Sequence, residues 1–382
     1  MLDINLIRQN PEIVRKDLEN RNELEKIKLL EEVIELDKLW RKEITELNEL
    51  RRERNEISEN IAKLKREGKD VRELLKRAKE LPERIKELEV KVKEKEKRIK
   101  EILMTLPNIL HESVPIGKDE NDNVVVKVWG EIPKFSFKPK DHQDLGLSLD
   151  LMDIERAAKV SGARFYYLKN ALVELNWALI KYGLDFIKER GFKIFQPPYM
   201  IRRESLEGAI AFQDFRDMIY KIEEEDLYLI GTAEHALLAY HMNEILDGKE
   251  LPLLYAGISP CFRKEAGTHG KDTKGIFRVH QFEKVEQFVF CKPEESWNWH
   301  EILLKNAEEF FQSLGIPYRV VNICSGDIGQ MAAKKYDIEA WLPGQGKYRE
   351  VVSCSNCTDY QARRANIRFR EGSEIKYVHT LN

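Results

Sequence analysis

Charged side chains in the middle of the sequence stand at spacings that would let them act together on one ligand. Arg263 and Glu265 are two residues apart, which would place both on one face of a β-strand. A second alternating segment starts at Arg278 and carries Glu286 on the same face, so the two segments predict an antiparallel hairpin. The connection, residues 266–275, is rich in glycine and lysine and predicts a mobile loop. An arginine beside two carboxylates suits a ligand that carries both a phosphate and a cationic amine.

A second group of polar residues lies at the predicted junction of a strand and a helix. The stretch from Leu227 reads LYLIGTAE, and the strand should end at Gly231. Thr232 has a side chain suited to capping the N-terminus of a helix over residues 233–245. Glu234 would fall in the first turn of that helix, where the helix dipole favours a negative charge. Capping alone is a complete structural explanation of these residues.

A third group follows a predicted turn at residues 344–346 and lies on a predicted strand. This strand carries the carboxylate of Glu350 and the hydroxyl of Ser353. It continues into Cys354 and Cys357, a C-x-x-C pair that raises the question of a zinc site. A structural zinc site takes four ligands, and no second pair stands at the spacing of a zinc finger. We therefore do not expect zinc here.

The most regular pattern in the sequence is helical and lies in the first hundred residues. Apolar residues recur every three or four positions from Val33 to Leu64, and again from Val71 to Ile102. The polar residues 67–70 separate the two segments, so the pattern predicts an antiparallel pair of helices joined by a short turn. Each helix of roughly forty residues would reach about 60 Å, at a rise of about 1.5 Å per residue.

The second helix of this pair has two unusual features. Pro82 lies inside it and predicts either a kink or a restart of the helix. Residues 63–100 contain 16 Lys and Arg against 9 Asp and Glu, so the turn and the second helix are basic. Such a charged surface either keeps the helices in solution or binds a polyanion.

The composition limits the possible functions. The 382 residues predict two or three domains, and the formal net charge is -3 with 34% charged residues. That balance excludes a protein that is basic throughout, so any contact with a nucleic acid must come from a local patch. The cysteines number five, which fits a reducing compartment, and no apolar run is long enough to predict a membrane span. We expect a cytoplasmic protein that does not bind a membrane.

The rest of the sequence predicts a linker followed by a mixed domain. Residues 107–150 hold several prolines and predict the linker. Residues 157–167 predict a strand and a turn, and residues 172–190 predict an amphipathic helix that ends before Gly191. The short strand that follows should stop at Pro197.

The central stretch resembles a known family. SPCFRKEAG, residues 259–267, followed by FRVHQFEKVEQF, residues 277–288, resembles motif 2 of class II aminoacyl-tRNA synthetases, and that of seryl-tRNA synthetases in particular. The resemblance implies an α+β fold with three parts. These are an antiparallel helical hairpin, or coiled coil, over residues 1–106, a linker over 107–150, and a class II catalytic domain with an antiparallel sheet over 151–382.

The resemblance also implies a reaction and its site residues. Serine and ATP would form seryl-adenylate and pyrophosphate, and the 3′-terminal hydroxyl of tRNA(Ser) would then accept the seryl group. The implied serine-binding residues are Thr232, Ala233, Glu234, Arg263, Glu286 and Asn382. The implied ATP-binding residues are Arg263, Lys264, Glu265, Val279, Glu350, Val351, Val352 and Ser353. The implied ligands of Mg²⁺ are Glu350 and Ser353.

The implied partners follow from the same family. The helical hairpin would grip the long variable arm of tRNA(Ser), and residues 266–275 would meet the acceptor end of that tRNA. The helix over 172–190 and the strand after it resemble motif 1, which forms a homodimer interface in class II enzymes.

The main departure of the sequence from the family is its ending at Asn382. Class II enzymes contain a third motif, with an arginine that stacks on adenine, and the sequence reaches only the residues that enter that motif. We therefore expect a chain that is truncated or completed by another polypeptide, and one that makes little adenylate by itself. Two other functions stay open: a catalytically inactive synthetase-like protein that binds tRNA or another partner, and a ligase that charges a carrier protein. The basic helices argue against the carrier protein.

Overall fold

A computed structural model describes residues 1–212, 216–265 and 274–382. Within these ranges no helix is both long enough and apolar enough to cross a membrane. The chain divides into two compact units, which we call the helical unit and the sheet unit. The helical unit comprises Leu2–Glu19 and Glu23–Leu106, and the sheet unit comprises Met1, Asn20–Asn22 and Pro107–Asn382.

The first part of the chain folds into four α-helices, of which two are long. Pro11 takes the first position of the second helix, where its missing N–H group leaves no bond unmade. The four helices are α1 Ile4–Gln9, α2 Pro11–Asn20, α3 Ile27–Arg66 and α4 Arg72–Thr105, with a short 3-10 helix at Leu24–Lys26.

The two long helices form the antiparallel hairpin that their apolar periodicity predicts. Their seam buries a cluster of aliphatic side chains from both helices: Leu47, Ile85, Leu88 and Val92. Ion pairs that run outside the seam join the helices in a regular order: Arg77 with Glu53, Arg84 with Glu46, and Arg98 with Glu32. The partner number falls as the arginine number rises, which is the order expected of an antiparallel pair of helices.

Pro82 does not interrupt α4, which runs from Arg72 to Thr105 as one helix. The prediction of a restart at this residue was therefore wrong. Leu81 and Ile85 flank the proline and are 1% and 5% exposed, so apolar packing against α3 holds the helix together across the missing backbone hydrogen bond.

Among its described residues, the sheet unit contains seven short and medium α-helices and fifteen strands. The α-helices are α5 His142–Ser148, α6 Glu155–Ser161, α7 Ala171–Lys188, α8 Arg203–Ala209, α9 Ala233–Ala239, α10 Ser296–Ser313 and α11 Tyr360–Ala365, with 3-10 helices at Glu120–Asp122, Arg216–Met218 and Pro293–Glu295. The strands are β1 Val124–Trp129, β2 Met152–Asp153, β3 Tyr167–Leu168, β4 Lys193–Phe195, β5 Met200–Arg202, β6 Leu227–Leu229, β7 Ile245–Asp247, β8 Leu253–Phe262, β9 Gln281–Cys291, β10 Tyr318–Asn322, β11 Lys334–Leu342, β12 Lys347–Asn356, β13 Arg368–Glu371, β14 Glu374–Tyr377 and β15 His379–Leu381.

One eight-stranded sheet organises this unit, in the order β1-β10-β11-β12-β15-β9-β8-β4. All neighbouring pairs in it are antiparallel except β4 and β8, which are parallel. Smaller sheets are formed by β14-β13-β7, β2-β3 and β5-β6. The combination of long helices in one unit and a mainly antiparallel sheet in the other confirms the predicted α+β fold.

Both faces of the large sheet are covered near β9. Val289 belongs to an apolar cluster with Leu303 of α10 and Ile338 of β11. Its neighbours Phe288 and Phe290 point to the other face and pack in a second cluster around α9 and α11. Since alternate residues of a strand point to opposite faces, the continuous apolar run of β9 is explained by burial on both sides.

The segment 157–167 differs from its prediction, because α6 replaces the expected strand. Asp153 accepts a hydrogen bond from the backbone N–H of Arg156 at 2.9 Å, which caps the start of this helix. Gly162, with φ of 96°, follows its last residue. Only the end of the segment, at Tyr167, enters a strand.

Candidate active site

A cleft of about 530 Å³ opens on the sheet unit beside β9 and β12. Many of the residues singled out in the sequence line it, although they come from distant parts of the chain. They are Arg263, Glu265, Val279, Glu286, Glu350, Val351, Val352, Ser353 and Asn382.

The hairpin of β8 and β9 supplies one wall. Its register pairs Gly257 with Glu286 and Phe262 with Gln281, so the even-numbered residues of β9 share one face. Glu286, Lys284 and Phe282 therefore stand in one row along the cleft.

Arg263 follows the last residue of β8 and is held from two sides. Its Nε donates to the backbone oxygen of Gly231 at 3.3 Å. Its guanidinium carbon lies 5.1 Å from the centre of the Phe282 ring. These contacts leave the guanidinium directed along a cleft wall, where it can bind an anion.

Glu265 does not extend the strand, contrary to the sequence interpretation. The backbone N–H of Arg263 still bonds to His280, but that of Lys264 bonds to Met218 at 2.9 Å, so the chain has left β9. Glu265 then adopts a left-handed conformation with φ of 51°. Its carboxylate accepts a hydrogen bond from Arg278 at 2.7 Å. Arg263 and Glu265 therefore both line the cleft, but a turn in the backbone, and not a shared strand, places Glu265 there, and its ion pair with Arg278 holds it.

A buried pair of polar side chains lies at the inner end of the cleft. The hydroxyl of Thr232 donates a hydrogen bond to Oε2 of Glu286. The ammonium group of Lys284 forms an ion pair with the same carboxylate oxygen. Glu286 is 7% exposed, so its negative charge has few water molecules to stabilise it and depends on such partners.

Thr232 also begins α9, as the sequence predicts, and its oxygen accepts from the backbone N–H of Glu234 at 3.3 Å. The helix ends at Ala239, earlier than the predicted position near 245, because β7 begins at Ile245. Ala233 is fully buried, and a Cβ added at Gly257 would lie 2.6 Å from its Cβ. Because Gly257 has no side chain, the start of α9 packs directly against β8.

Glu234 lies in a buried network behind this pair. Its Oε1 accepts a hydrogen bond from Nε2 of Gln361 at 2.6 Å, and Oε1 of Gln361 accepts one from the Thr380 hydroxyl at 2.7 Å. Burial, and next the negative charge of Glu286, raise the pKa of Glu234 to about 7, while a hydrogen bond from Asn382 opposes the rise. Glu234, Glu286 and Asn382 are therefore within electrostatic reach of one another.

Gln361 is a site residue that the sequence did not single out. It lies 127 residues after Glu234 in the chain, on the helix α11. No spacing rule connects the two positions, because only the packing of α11 against α8 and α9 brings them together.

The opposite wall of the cleft is β12, which has a bulge. Val352 pairs with Ile338, whereas Glu350 pairs with the next residue, Glu339, so Val351 is an extra residue in the ladder. Residues three apart lie on opposite faces of a regular strand. The bulge at Val351 turns Glu350 onto the face of Ser353.

This wall can hold a magnesium ion only with help from a ligand. Within residues 1–212, 216–265 and 274–382, no three His, Cys, Asp or Glu side chains cluster closely enough to bind a metal. Glu350 and Ser353 offer two oxygen donors on one face. Mg²⁺ is commonly bound by one or two protein oxygens together with phosphate oxygens, so this donor set fits Mg²⁺ bound with a nucleotide.

The side chain of Lys264 does not line the cleft. Its ammonium nitrogen lies 5.6 Å from the centre of the Tyr220 ring, in a separate pocket that Arg203 and Tyr228 also line. Val279 lines the cleft and is 5% exposed.

Cys354 and Cys357 are buried and carry free thiols. Burial raises the pKa of both thiols, which keeps them protonated and poor metal ligands. They act as small apolar side chains under β12.

Profiles of two families match this chain. Residues 1–110 match the seryl-tRNA synthetase N-terminal domain, and residues 219–382 match the tRNA synthetase class II core domain (G, H, P, S and T). The serine–tRNA ligase of Pyrococcus horikoshii is 59% identical, over 100% of this chain and 89% of that protein. The chain belongs to the seryl-tRNA synthetases. The serine–tRNA ligase of Nitrosopumilus maritimus is 52% identical over 100% of the chain and 90% of that relative.

Solved structures of seryl-tRNA synthetases have the same fold. That of the Pyrococcus horikoshii enzyme complexed with ATP superposes with a TM-score of 0.96 at 58% identity, covering 100% of this chain and 90% of that chain. The cytoplasmic enzyme of Naegleria fowleri in complex with AMP gives 0.89 at 37% identity, with the same coverage. The family that motif 2 indicated is thus confirmed.

The structure describes one of the two segments that resemble motifs 1 and 2 in full and the other only in part. Residues 266–273 of the motif 2 loop lie outside the described residues; beyond them, Lys274 forms ion pairs with Asp141 and Asp144. The motif 1 helix, α7, leaves large apolar side chains in solvent, including Leu175 and Trp177, both 62% exposed.

Proposed function

We propose that this seryl-tRNA synthetase joins serine to tRNA(Ser) in two steps. Serine attacks ATP to form seryl-adenylate and pyrophosphate, and the 3′-terminal hydroxyl of the tRNA then attacks the acyl carbon and releases AMP. The observation that carries the proposal is a single cleft that joins Arg263, the Thr232–Glu286 pair and the Glu350–Ser353 strand. The relatives' names and the bound ATP and AMP in the similar structures support it.

Serine would bind at the inner end of the cleft. Its ammonium group would take the place of Lys284 against Glu286, whose carboxylate Thr232 already orients. Asn382 would contact the serine hydroxyl. Glu234 would help to bind serine through the hydrogen-bond network behind the Thr232–Glu286 pair. A buried site built around hydrogen bonds discriminates strongly against an amino acid that lacks the matching polar group.

Arg263 would stabilise the reaction's developing charge. The serine carboxylate attacks the α-phosphate, and negative charge increases on the phosphate oxygens before pyrophosphate leaves. A guanidinium already fixed by Gly231 and Phe282 needs little reorganisation to receive that charge. Holding both reactants in one cleft supplies the rest of the acceleration.

The nucleotide would lie between Glu265 and the strand β12. Glu265 and the backbone at Val279 would fix ATP, and Glu350 and Ser353 would hold Mg²⁺ against its phosphates. Bound Mg²⁺ neutralises phosphate charge and orients the leaving group. Val351 and Val352 would provide the floor of this part of the cleft.

The helical hairpin would bind the variable arm of tRNA(Ser). On α4 a basic row stands at heptad spacing, which we define as Arg72, Lys79, Lys86, Lys93 and Lys100. All five side chains are exposed, on a different face from the arginines that pair with α3. A row of cations along one face of a helix suits a phosphate backbone. Residues 266–275 would contact the acceptor end.

A homodimer would cover the apolar face of α7. Leu175, Leu179 and Tyr182 are spaced four and three residues apart, so they share one face of the helix, and all three are exposed. Exposed apolar patches of this kind mark protein–protein interfaces. The five free cysteines fit our expectation that the enzyme acts in the cytoplasm.

The test is serine-dependent exchange of pyrophosphate into ATP, together with charging of tRNA(Ser). We expect Arg263→Ala to lower exchange by about 100-fold or more, the scale of removing one charge-stabilising donor. Arg156→Ala is the matched control, because its side chain is 80% exposed and pairs only locally with Asp153. Tight tRNA binding without any exchange would instead favour the catalytically inactive binding protein, and serine transfer to a carrier protein would favour the other alternative.

A further inference from the structure

The proposed mechanism leaves one buried carboxylate beside the cleft without a role. Asp337 lies on β11, and its side chain is 6% exposed. Among the described residues, its Oδ1 has no hydrogen-bond partner. An ionisable side chain with an unsatisfied oxygen is costly to bury, so a structural role alone does not account for it.

The register of β11 and β12 places Asp337 next to the metal side of the cleft. Asp337 is directly opposite Ser353, and Glu339 is directly opposite Glu350. Directly opposed residues share a face, as do residues two apart on one strand. The bulge at Val351 therefore gathers Asp337, Glu339, Glu350 and Ser353 on the same face.

The groups around Asp337 indicate what it binds. Ser353 is the residue directly across the ladder from it, and the side chains of Glu350 and Asp327 are the nearby negative charges. The Lys335 ammonium lies 3.7 Å from its Oδ2, a distance longer than a direct hydrogen bond. Glu339 is engaged elsewhere, because it forms an ion pair with Arg319.

We propose that Asp337 is a positioning residue for the metal-bound nucleotide. Its carboxylate accepts a hydrogen bond from the Ser353 hydroxyl and so turns the lone pairs of that oxygen toward Mg²⁺. A hydroxyl has one proton and two lone pairs, so fixing the proton fixes the acceptor directions. A carboxylate in this position makes the oxygen a better ligand, as outer partners of metal ligands commonly do. The inference rests on the proposed function, since it assumes that Ser353 and Glu350 hold the metal.

The test measures metal binding without the reaction. Mn²⁺ replaces Mg²⁺, and its binding to the protein with a non-hydrolysable ATP analogue is followed by electron paramagnetic resonance. We expect Asp337→Ala to weaken Mn²⁺ binding by about 10- to 100-fold, the usual effect of losing an outer partner of a ligand. Binding of the analogue in EDTA should change little, because Asp337 is not among the residues that line the cleft.

Two further variants separate positioning from charge and from misfolding. Asp337→Asn keeps an oxygen that can accept from Ser353, so it should retain most of the Mn²⁺ affinity. In a Ser353→Ala background, Asp337→Ala should have almost no further effect, because the two residues act as one unit. Glu339→Gln is the matched control on the same strand and face, and it should leave Mn²⁺ binding unchanged.

The outcomes are distinct. Unchanged Mn²⁺ affinity in Asp337→Ala, or additive losses in the double variant, would overturn the role of Asp337 alone. Equal losses in Asp337→Asn and Asp337→Ala would show that charge, and not the hydrogen bond, matters, and would also overturn it. If the unaltered protein does not bind Mn²⁺ with the analogue at all, both this inference and the proposed nucleotide site are wrong.

Discussion

The hydroxyl of Thr232 donates a hydrogen bond to Glu286, a residue 54 positions later in the chain. The same oxygen accepts from the backbone of Glu234 at the start of α9. One side chain therefore links the N-terminus of a helix to a carboxylate on the central sheet. The position of this carboxylate depends on how closely α9 sits on β8.

Replacement of Glu286 tests the amine side of the site. We expect Glu286→Gln to lower serine-dependent exchange by about 100-fold, mainly through a higher KM for serine, because a neutral amide attracts an ammonium group poorly. Steady-state exchange kinetics at varied serine are the measurement. Glu283→Gln is the control, since Glu283 belongs to the same strand but to its other face. Equal effects of the two changes would argue against a serine contact at Glu286.

Glu234 should make the stability of the sheet unit depend on pH. Its pKa rises from an ordinary value of 4.5 to about 7 on folding, chiefly through burial, so the folded state holds a proton that the unfolded state releases. The stabilisation is complete below pH 4.5 and is lost as the pH rises through about 7. Thermal unfolding across that interval should therefore show a falling Tm, and Glu234→Gln should reduce the slope. A slope that is identical in the variant would contradict the assignment to Glu234.

The basic row of α4 gives a test of tRNA binding. Reversal of three of its charges, in Lys79→Glu, Lys86→Glu and Lys93→Glu together, should raise the KM for tRNA(Ser) at least about tenfold and reduce its salt dependence. Serine-dependent exchange should stay normal, because these residues belong to the helical unit.

The adjacent row on the same helix supplies a matched control for the tRNA experiment. Changing Glu80, Glu87 and Glu94 to glutamine makes the same number of substitutions but removes negative charge. It should leave tRNA binding unchanged or strengthen it. Weaker binding in both triple variants would mean that helix stability, and not charge, determines the effect.

The hairpin should depend on its seam far more than on its ion pairs. Arg98 and Glu32 form two hydrogen bonds of 2.7 and 2.9 Å, but their side chains are 45% and 39% exposed. Solvent screening limits such a pair to about 0.2–1 kcal/mol, so Arg98→Ala should cost less than about 1 kcal/mol of unfolding free energy. Leu88→Ala, at a buried position, should cost about 2–5 kcal/mol. Denaturant unfolding measures both.

Local patterns predicted the helices and hairpins well. The two long helices repeat an apolar spacing over many turns, and the turn between them consists of residues that interrupt that spacing. The β8–β9 hairpin was likewise predicted from alternation. The prediction for residues 157–167 was wrong because the helix there depends on a cap at Asp153 and a glycine at 162. Single residues of this kind do not change the periodicity of a sequence.

The site was less predictable, because its geometry depends on pairing between distant segments. A spacing of three put Glu350 and Ser353 on opposite faces of any regular strand, and only the register with β11 reveals the bulge that unites them. Gln361 and Asp337 carry no local signal at all. Their significance depends on what packing places against them.

The position of β15 in the large sheet has a consequence for how the protein folds during synthesis. This three-residue strand lies between β12 and β9, so it joins the half of the sheet that carries Glu350 to the half that carries Glu286. It is also the last of the eight strands to leave the ribosome. Until it arrives, the two halves can form their own hairpins but have no shared ladder, and the cleft between them cannot take its final width. Nascent chains that stop before residue 379 should therefore contain ordered hairpins that do not yet bind nucleotide.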